Sequence, residues 1–156
     1  MTRTFARSPR GERVHDEVPR NRGQVTTILG ALTVEGLVAV MTIEGGTDTA
    51  VFETYVRQFL LPRLRPGDTV VLDNLGAHKT PSVRALIESV GASVLFLPPY
   101  SPELNPIEEC WSKVKSVLRS YGARTLETLD DAIAWAMHKV SPADALGWIR
   151  HAGYAC

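Results

Sequence analysis

The sequence is poor in the features that classify a chain quickly. It holds two cysteines in 156 residues, Cys110 and Cys156, too few for a disulfide framework or a four-thiolate zinc site and without a Cys-x-x-Cys spacing. That fits a reducing cytoplasm. Long hydrophobic runs are missing as well: the longest apolar region, residues 25–41, is broken by Thr33, Glu35 and Gly36, short of the roughly 20 residues of a bilayer span. No membrane partner is expected. Arg3, Arg7, Arg10 and Arg13 have no apolar stretch behind them, which reads against a secretory signal. Net charge is absent too, since 17 Lys plus Arg cancel 17 Asp plus Glu. The global electrostatic argument for a nucleic-acid partner therefore fails, and any such reading rests on local chemistry.

What remains is an ordinary globular balance, 44% hydrophobic and 22% charged, which excludes disorder and fibrous repeats. Residues 1–23 form a basic arm, six Arg against Glu12, Asp16 and Glu17 with two Pro and two Gly. From residue 24 the texture is that of one domain, 24–156. Residues 25–33 and 37–43 are two apolar runs around Val34, Glu35 and Gly36, the pattern of a hairpin. Asp48 is placed to cap a helix running to Leu60, with Val51, Phe52, Tyr55, Val56 and Phe59 as its apolar stripe and Pro62 beyond it. Residues 69–72 and 93–97 are short, continuous apolar runs of the kind found in buried parallel strands. Between them Thr80 caps and Pro81 opens a helix that Gly91 closes. Asn105 and Pro106 start a third helix with Ile107, Trp111, Val114, Leu118 and Tyr121 inward, residues 126–140 a fourth, and Ser141-Pro142 a last short one. Strand, helix, strand, helix is a right-handed crossover, so both strands end on one edge of a sheet.

Asp73 follows the first of these strands, and Glu108 lies in the first turn of the helix after the second. Thirty-four residues separate them, one crossover, so their carboxylates converge on one rim. Two acids so placed repel unless a hard cation lies between them, and Mg²⁺ or Mn²⁺ with oxygen ligands suits the site. Paired carboxylates of this kind serve metal-assisted phosphoryl transfer. Structural uses compete: Asp-Asn after a strand is a common turn, and Asn105 with Glu108 has the spacing of a capping box. His78 stands within reach of the same rim, against the alternative of a hydrogen-bonded turn histidine. Lys115 lies seven residues after Glu108, on its helical face, where it would meet a phosphate or simply solvent. Lys79, Arg119 and Arg124 extend that basic surface. Cys110 is expected to be a small half-buried residue, and Trp111, Trp135 and Trp148 core residues. His15, His138 and His151 have no zinc spacing with either cysteine.

Two strings go further. Val70-Val71-Leu72-Asp73-Asn74-Leu75-Gly76-Ala77-His78-Lys79 and Leu97-Pro98-Pro99-Tyr100-Ser101-Pro102-Glu103-Leu104-Asn105-Pro106-Ile107-Glu108-Glu109-Cys110-Trp111 resemble the two downstream catalytic blocks of the Tc/mariner superfamily, in particular its bacterial insertion-sequence branch. The resemblance runs over most of the chain. It implies a DDE endonuclease domain of ribonuclease H-like fold, an α/β mixed sheet flanked by helices. It further implies a cut-and-paste DNA transposase in which Asp73 and Glu108 are the second and third metal-binding catalytic acids. Glu103 and Glu109 fall at positions the pattern leaves open. His78 and Lys115 stand where the family often has His and Lys, so that His78, Lys79, Lys115 and Arg119 are the expected DNA contacts. Partners would be the DNA of element ends and target, and a second copy or a full-length transposase.

One element of the pattern is not met. The family's first catalytic Asp lies on a strand upstream of an arm like residues 1–13, and neither Asp16 nor Asp48 occupies such a position. The domain is accordingly expected to lack its first strand, as in a split frame, a truncated copy or a late-assigned start. Little or no strand cleavage is expected of the chain alone. The rival readings are a non-catalytic DNA-binding or dimerising fragment that regulates full-length transposase, and a different metal nuclease of the same fold.

Overall fold

The computed structural model describes residues 8–13, 25–123 and 125–155, with the side chain of Leu126 also outside the description. Most of the basic arm and Arg124 therefore lie outside the described residues. Strands β1 (Thr26–Thr33) and β2 (Gly36–Glu44) form the expected antiparallel hairpin. The register shifts between the pairs Leu29–Met41 and Ala31–Val38, so Gly30 faces both Ala39 and Val40. Ala39 takes the bulge in a left-handed conformation, φ 50°. Gly30 is tightly enclosed: a Cβ there would lie 3.2 Å from both Leu37 and the Trp111 ring, so those side chains would have to shift. Alternation along β1 sends Leu29 and Ala31 to one apolar cluster and Ile28 and Leu32 to another, as a period of two requires.

Helix α1 (Thr49–Tyr55) starts where expected, Asp48 accepting from the Val51 N–H at 2.9 Å. It passes into a π-helical turn, Val56–Leu60, and a 3-10 turn over Leu61–Arg63, where Pro62 ends it. Strand β3 (Thr69–Leu72), helix α2 (Pro81–Glu88) and strand β4 (Ser93–Phe96) make the crossover unit. Thr80 caps α2 and Pro81 occupies its first turn. β3 and β4 pair in parallel from Thr69–Ser93 to Leu72–Phe96. Val83 and Ile87 of α2 and Val56 are fully buried between this unit and α1.

The other side of the β1–β2 hairpin is covered by α3 (Ile107–Tyr121), α4 (Leu126–His138) and α5 (Pro142–His151), which meet Ile28, Leu32 and Leu37. Cys110, Val114, Leu118, Ala132, Ile133 and Ala136 form their shared core. Strands between two helical layers make a mixed α/β fold. Among the described residues the strands pair as two two-stranded sheets, β1–β2 and β3–β4. Both sheets pack on the α1–α2 cluster, β1–β2 through Leu29, Ala31, Val38 and Met41 and β3–β4 through Val70, Leu72 and Val94, and among the described residues β1 and β3 do not pair. Two further expectations need correction. Tyr121 is half exposed because it ends α3 at the left-handed Gly122. Trp135 is likewise exposed, its ring 5.9 Å from that of Tyr121 with the Lys139 ammonium 4.8 Å above it.

One polar tie joins α3 to α5. Lys113 Nζ donates to Asp144 Oδ2 at 2.6 Å, and Ser141 donates to the same oxygen through its N–H at 2.9 Å and its hydroxyl at 2.6 Å. The Lys113 hydrogen bond, followed by those of Ser141, holds the Asp144 carboxyl down at about 2. A carboxyl lowered on folding stabilises above its unfolded value, near 4, and ceases to do so as pH falls through its folded value. Asp144→Asn is therefore expected to cost about 1 kcal/mol in urea unfolding at pH 7, given the partial exposure of the pair. The difference from wild type should shrink between pH 4 and pH 2.

Candidate active site

The parallel register decides where the acids go. Leu97 N–H donates to the Leu72 carbonyl at 2.8 Å, so β3 and β4 end side by side and release Asp73 and the 98–106 loop at one edge. That loop holds Tyr100 in a left-handed conformation, φ 58°, then a 3-10 turn over Pro102–Leu104, and delivers Glu108 in the first turn of α3. Its far end is pinned from fifty residues away, because the Tyr154 hydroxyl donates to the Leu104 carbonyl at 2.8 Å. Burial raises the Tyr154 phenol's pKa and keeps it a donor.

Asp73 and Glu108 consequently line one small pocket of about 230 Å³, together with Asn74, Leu75, Tyr100, Ser101 and Asn105. Asp73 Oδ1 accepts from the Leu75 N–H at 3.1 Å and from His78 Nδ1 at 2.6 Å. His78 is itself sandwiched by Phe52, ring centroids 4.1 Å apart, so α1 holds the imidazole and the imidazole holds the acid. The structural alternative for Glu108 is not realised. Pro106, not Asn105, precedes α3, no side chain caps that helix, and the Glu108 N–H bonds the Asn105 backbone carbonyl at 3.0 Å. Pro106 in a helical conformation, φ −61° and ψ −19°, takes the capping position itself. Glu108 and Asn105 side chains thus make no hydrogen bond or ion pair among the described residues.

The remaining candidates separate. Lys79, Lys115 and Arg119 are exposed and line neither this pocket nor the larger cleft beside it. Cys110 is wholly buried, not half-buried as expected, and burial pushes its thiol up to about 11 despite nearby Lys113. It is an inert core residue. Tyr100 was legible in the sequence only as part of a stiff proline loop. Its full exposure at the pocket rim and its backbone strain, about 1–2 kcal/mol for a left-handed non-glycine residue, are features of the folded loop.

The donor set fits a hard divalent cation. Two carboxylates share a pocket with no cation from the protein between them, and Mg²⁺ is commonly held by one or two carboxylates with waters and substrate phosphate completing its shell. Among the described residues no group of three or more His, Cys, Asp or Glu is placed to hold a metal. Among the described residues the pocket holds two acids, Asp73 and Glu108.

The family model for DDE superfamily endonucleases matches residues 1–130. The chain belongs to this family. Among solved structures, this DDE endonuclease superimposes on the Mos1 mariner paired end complex with Mn at a TM-score of 0.68 and 17% identity, over 97% of its own length and 47% of that chain. It superimposes on the catalytic core domain of BIV integrase at a TM-score of 0.52 and 14% identity, over 80% and 86% of the two chains. At such identities the likeness is one of fold, and the fold is ribonuclease H-like. An uncharacterized protein y4pE/y4sA of Sinorhizobium fredii is 43% identical over 42 residues, 27% of this chain and 29% of that protein. The chain thus spans about half the length of the Mos1 protein it matches.

The geometry predicts a metal-linked stability. At ten times its Kd, Mg²⁺ should stabilise the folded chain by about 1.4 kcal/mol, a Tm rise of roughly 3–5 °C. Asp73→Ala and Glu108→Ala should each abolish the rise in differential scanning fluorimetry, while Glu103→Ala, outside the pocket, should keep it.

Proposed function

We propose that the chain is the catalytic domain of a Tc/mariner-type DNA transposase, acting on phosphodiesters at the ends of a mobile element. The observation that carries this is the meeting of Asp73 and Glu108 in one pocket, on the two sequence blocks that resemble that superfamily's. Family membership supports the reaction class, and the carboxylate pair supports a divalent cation. Mg²⁺ or Mn²⁺, when bound there, supplies charge neutralisation at a phosphodiester oxygen and a more acidic water. Asp73 and Glu108 hold it, with no covalent protein intermediate. His78 fixes Asp73 through Nδ1 and leaves Nε2 for a DNA phosphate. Lys79, Lys115 and Arg119, exposed to solvent, track the backbone of a strand entering from outside the pocket. A second copy or a full-length transposase is the protein partner, and residues 1–23 a basic arm ahead of the endonuclease domain.

One observation favours the second reading, a non-catalytic DNA-binding or dimerising fragment: the described residues bring two acids to the pocket, and two-metal phosphoryl transfer needs ligands for both ions. The chain alone is accordingly expected to nick DNA little or not at all.

Electrophoretic binding to duplex DNA with and without Mn²⁺ tests the assignment. Metal should tighten binding severalfold, Asp73→Ala should remove that gain, and Lys115→Ala should weaken binding at every salt concentration and lower the salt slope by about one. Affinity indifferent to metal and to both substitutions would sink the assignment. Robust Mn²⁺-dependent nicking that disappears in Asp73→Ala would instead overturn the expected inactivity of the chain alone.

A further inference from the structure

Tyr100 is wholly exposed, at 101%, and it stands at the rim of the pocket that holds Asp73 and Glu108. Its side chain makes no hydrogen bond, ion pair or ring contact among the described residues, so it adds nothing to the core. Its backbone is left-handed, φ 58°, a conformation that glycine or asparagine takes at lower cost. The fold thus bears a strained residue and an uncovered ring at one position. Strained residues persist where the surrounding structure over-determines them, and they collect at ligand sites.

The loop holds that ring firmly. Pro98 and Pro99 precede Tyr100, and Pro102 follows Ser101, which fixes the φ angles of the prolines and restricts the residue before each of them. The Ser101 hydroxyl reaches back across Tyr100 to donate to the Pro99 carbonyl at 3.5 Å, and the Leu104 N–H donates to the Ser101 carbonyl at 3.2 Å. The entry of the loop is tied to β3 by the bond from Leu97 to Leu72, and its exit to Tyr154. A ring presented on so stiff a loop gives up little conformational freedom when a ligand covers it.

We propose that Tyr100 is a stacking platform for an unpaired nucleobase, beside the phosphate that a cation at Asp73 and Glu108 would hold; this rests on the reading of the pocket as a DNA site. A nucleotide carries an anionic phosphate and a flat aromatic base one sugar apart. The pocket offers both partners, two carboxylates for a cation in its lining and a bare ring at its rim. A base stacks on an aromatic side chain without any hydrogen bond, whichever base it is. Inside a duplex both faces of a base are covered by its neighbours, so an intact duplex must first be unstacked to reach the ring. The ring therefore selects DNA in which the base beside the bound phosphate is already out of the stack. Tyr100 sets a preference among DNA substrates and takes no part in bond cleavage.

The test uses the full chain with Mn²⁺ and two DNA duplexes, identical except that in one of them an internal base stands opposite an abasic nucleotide. The abasic duplex should bind about tenfold more tightly, within the range of one base–aromatic stack. The Tyr100 ring protons should move upfield in the NMR spectrum on binding that duplex and not on binding the intact one. Tyr100→Phe should keep the preference. Tyr100→Gly, which suits the left-handed backbone, should melt no lower than wild type, bind the intact duplex as wild type does and lose the preference. Equal affinity of wild type for the two duplexes, or a preference that survives in Tyr100→Gly, would overturn the proposal while metal-dependent binding of the intact duplex left the DNA reading standing. Absence of the upfield shift would overturn it whatever the variants do. Binding of neither duplex would overturn both readings.

Discussion

Everything in the site depends on the parallel pairing of β3 with β4. Because the two strands run the same way and stop level, the chain leaves both at one edge, and the first residues it can place there are Asp73 and the 98–106 loop. Burial enforces the register. Val70, Leu72 and Val94 pack on the α1–α2 cluster, so a slip of one residue would turn that set away from its core. The acids inherit their positions from an apolar constraint in which they take no part.

Around that pair the structure spends polar contacts sparingly. His78 is tied both to Asp73 and to the Phe52 ring, and Ser82 donates to the Glu53 carboxylate to join α2 to α1. Glu108, by contrast, has no hydrogen-bond or ion-pair partner among the described residues. One acid is oriented by the protein and the other is free to follow whatever enters the pocket. This is an asymmetry suited to a group that must meet a changing coordination shell; its neighbour Glu109, also exposed, does not line the pocket.

Much of this was legible in the residues. Asp48, Thr80 and Ser141 announced their helices because capping is a local interaction between residues three apart, and all three bonds form. The hairpin and the crossover followed from runs whose period or length left little choice. What could not be read was set by distance. Whether Asn105 caps α3 depended on the turn at Pro106. Whether Tyr121 and Trp135 are covered depended on where two helices diverge. The pairing of the described strands as two sheets, and the cleft between them, belong to no local pattern at all. The convergence of Asp73 and Glu108 was inferred from topology and is present; what the two acids do there rests on the family.

The bond from the Tyr154 hydroxyl to the Leu104 carbonyl gives the site a dynamic dependence that its chemistry does not display. α5 contributes no group to the acidic pocket, yet its trailing residue fastens the loop that delivers Glu108. Local opening that carried Tyr154 away would release the loop that leads to Glu108. Protection of the last helix against exchange, read as an equilibrium, then bounds how often that fastening is lost.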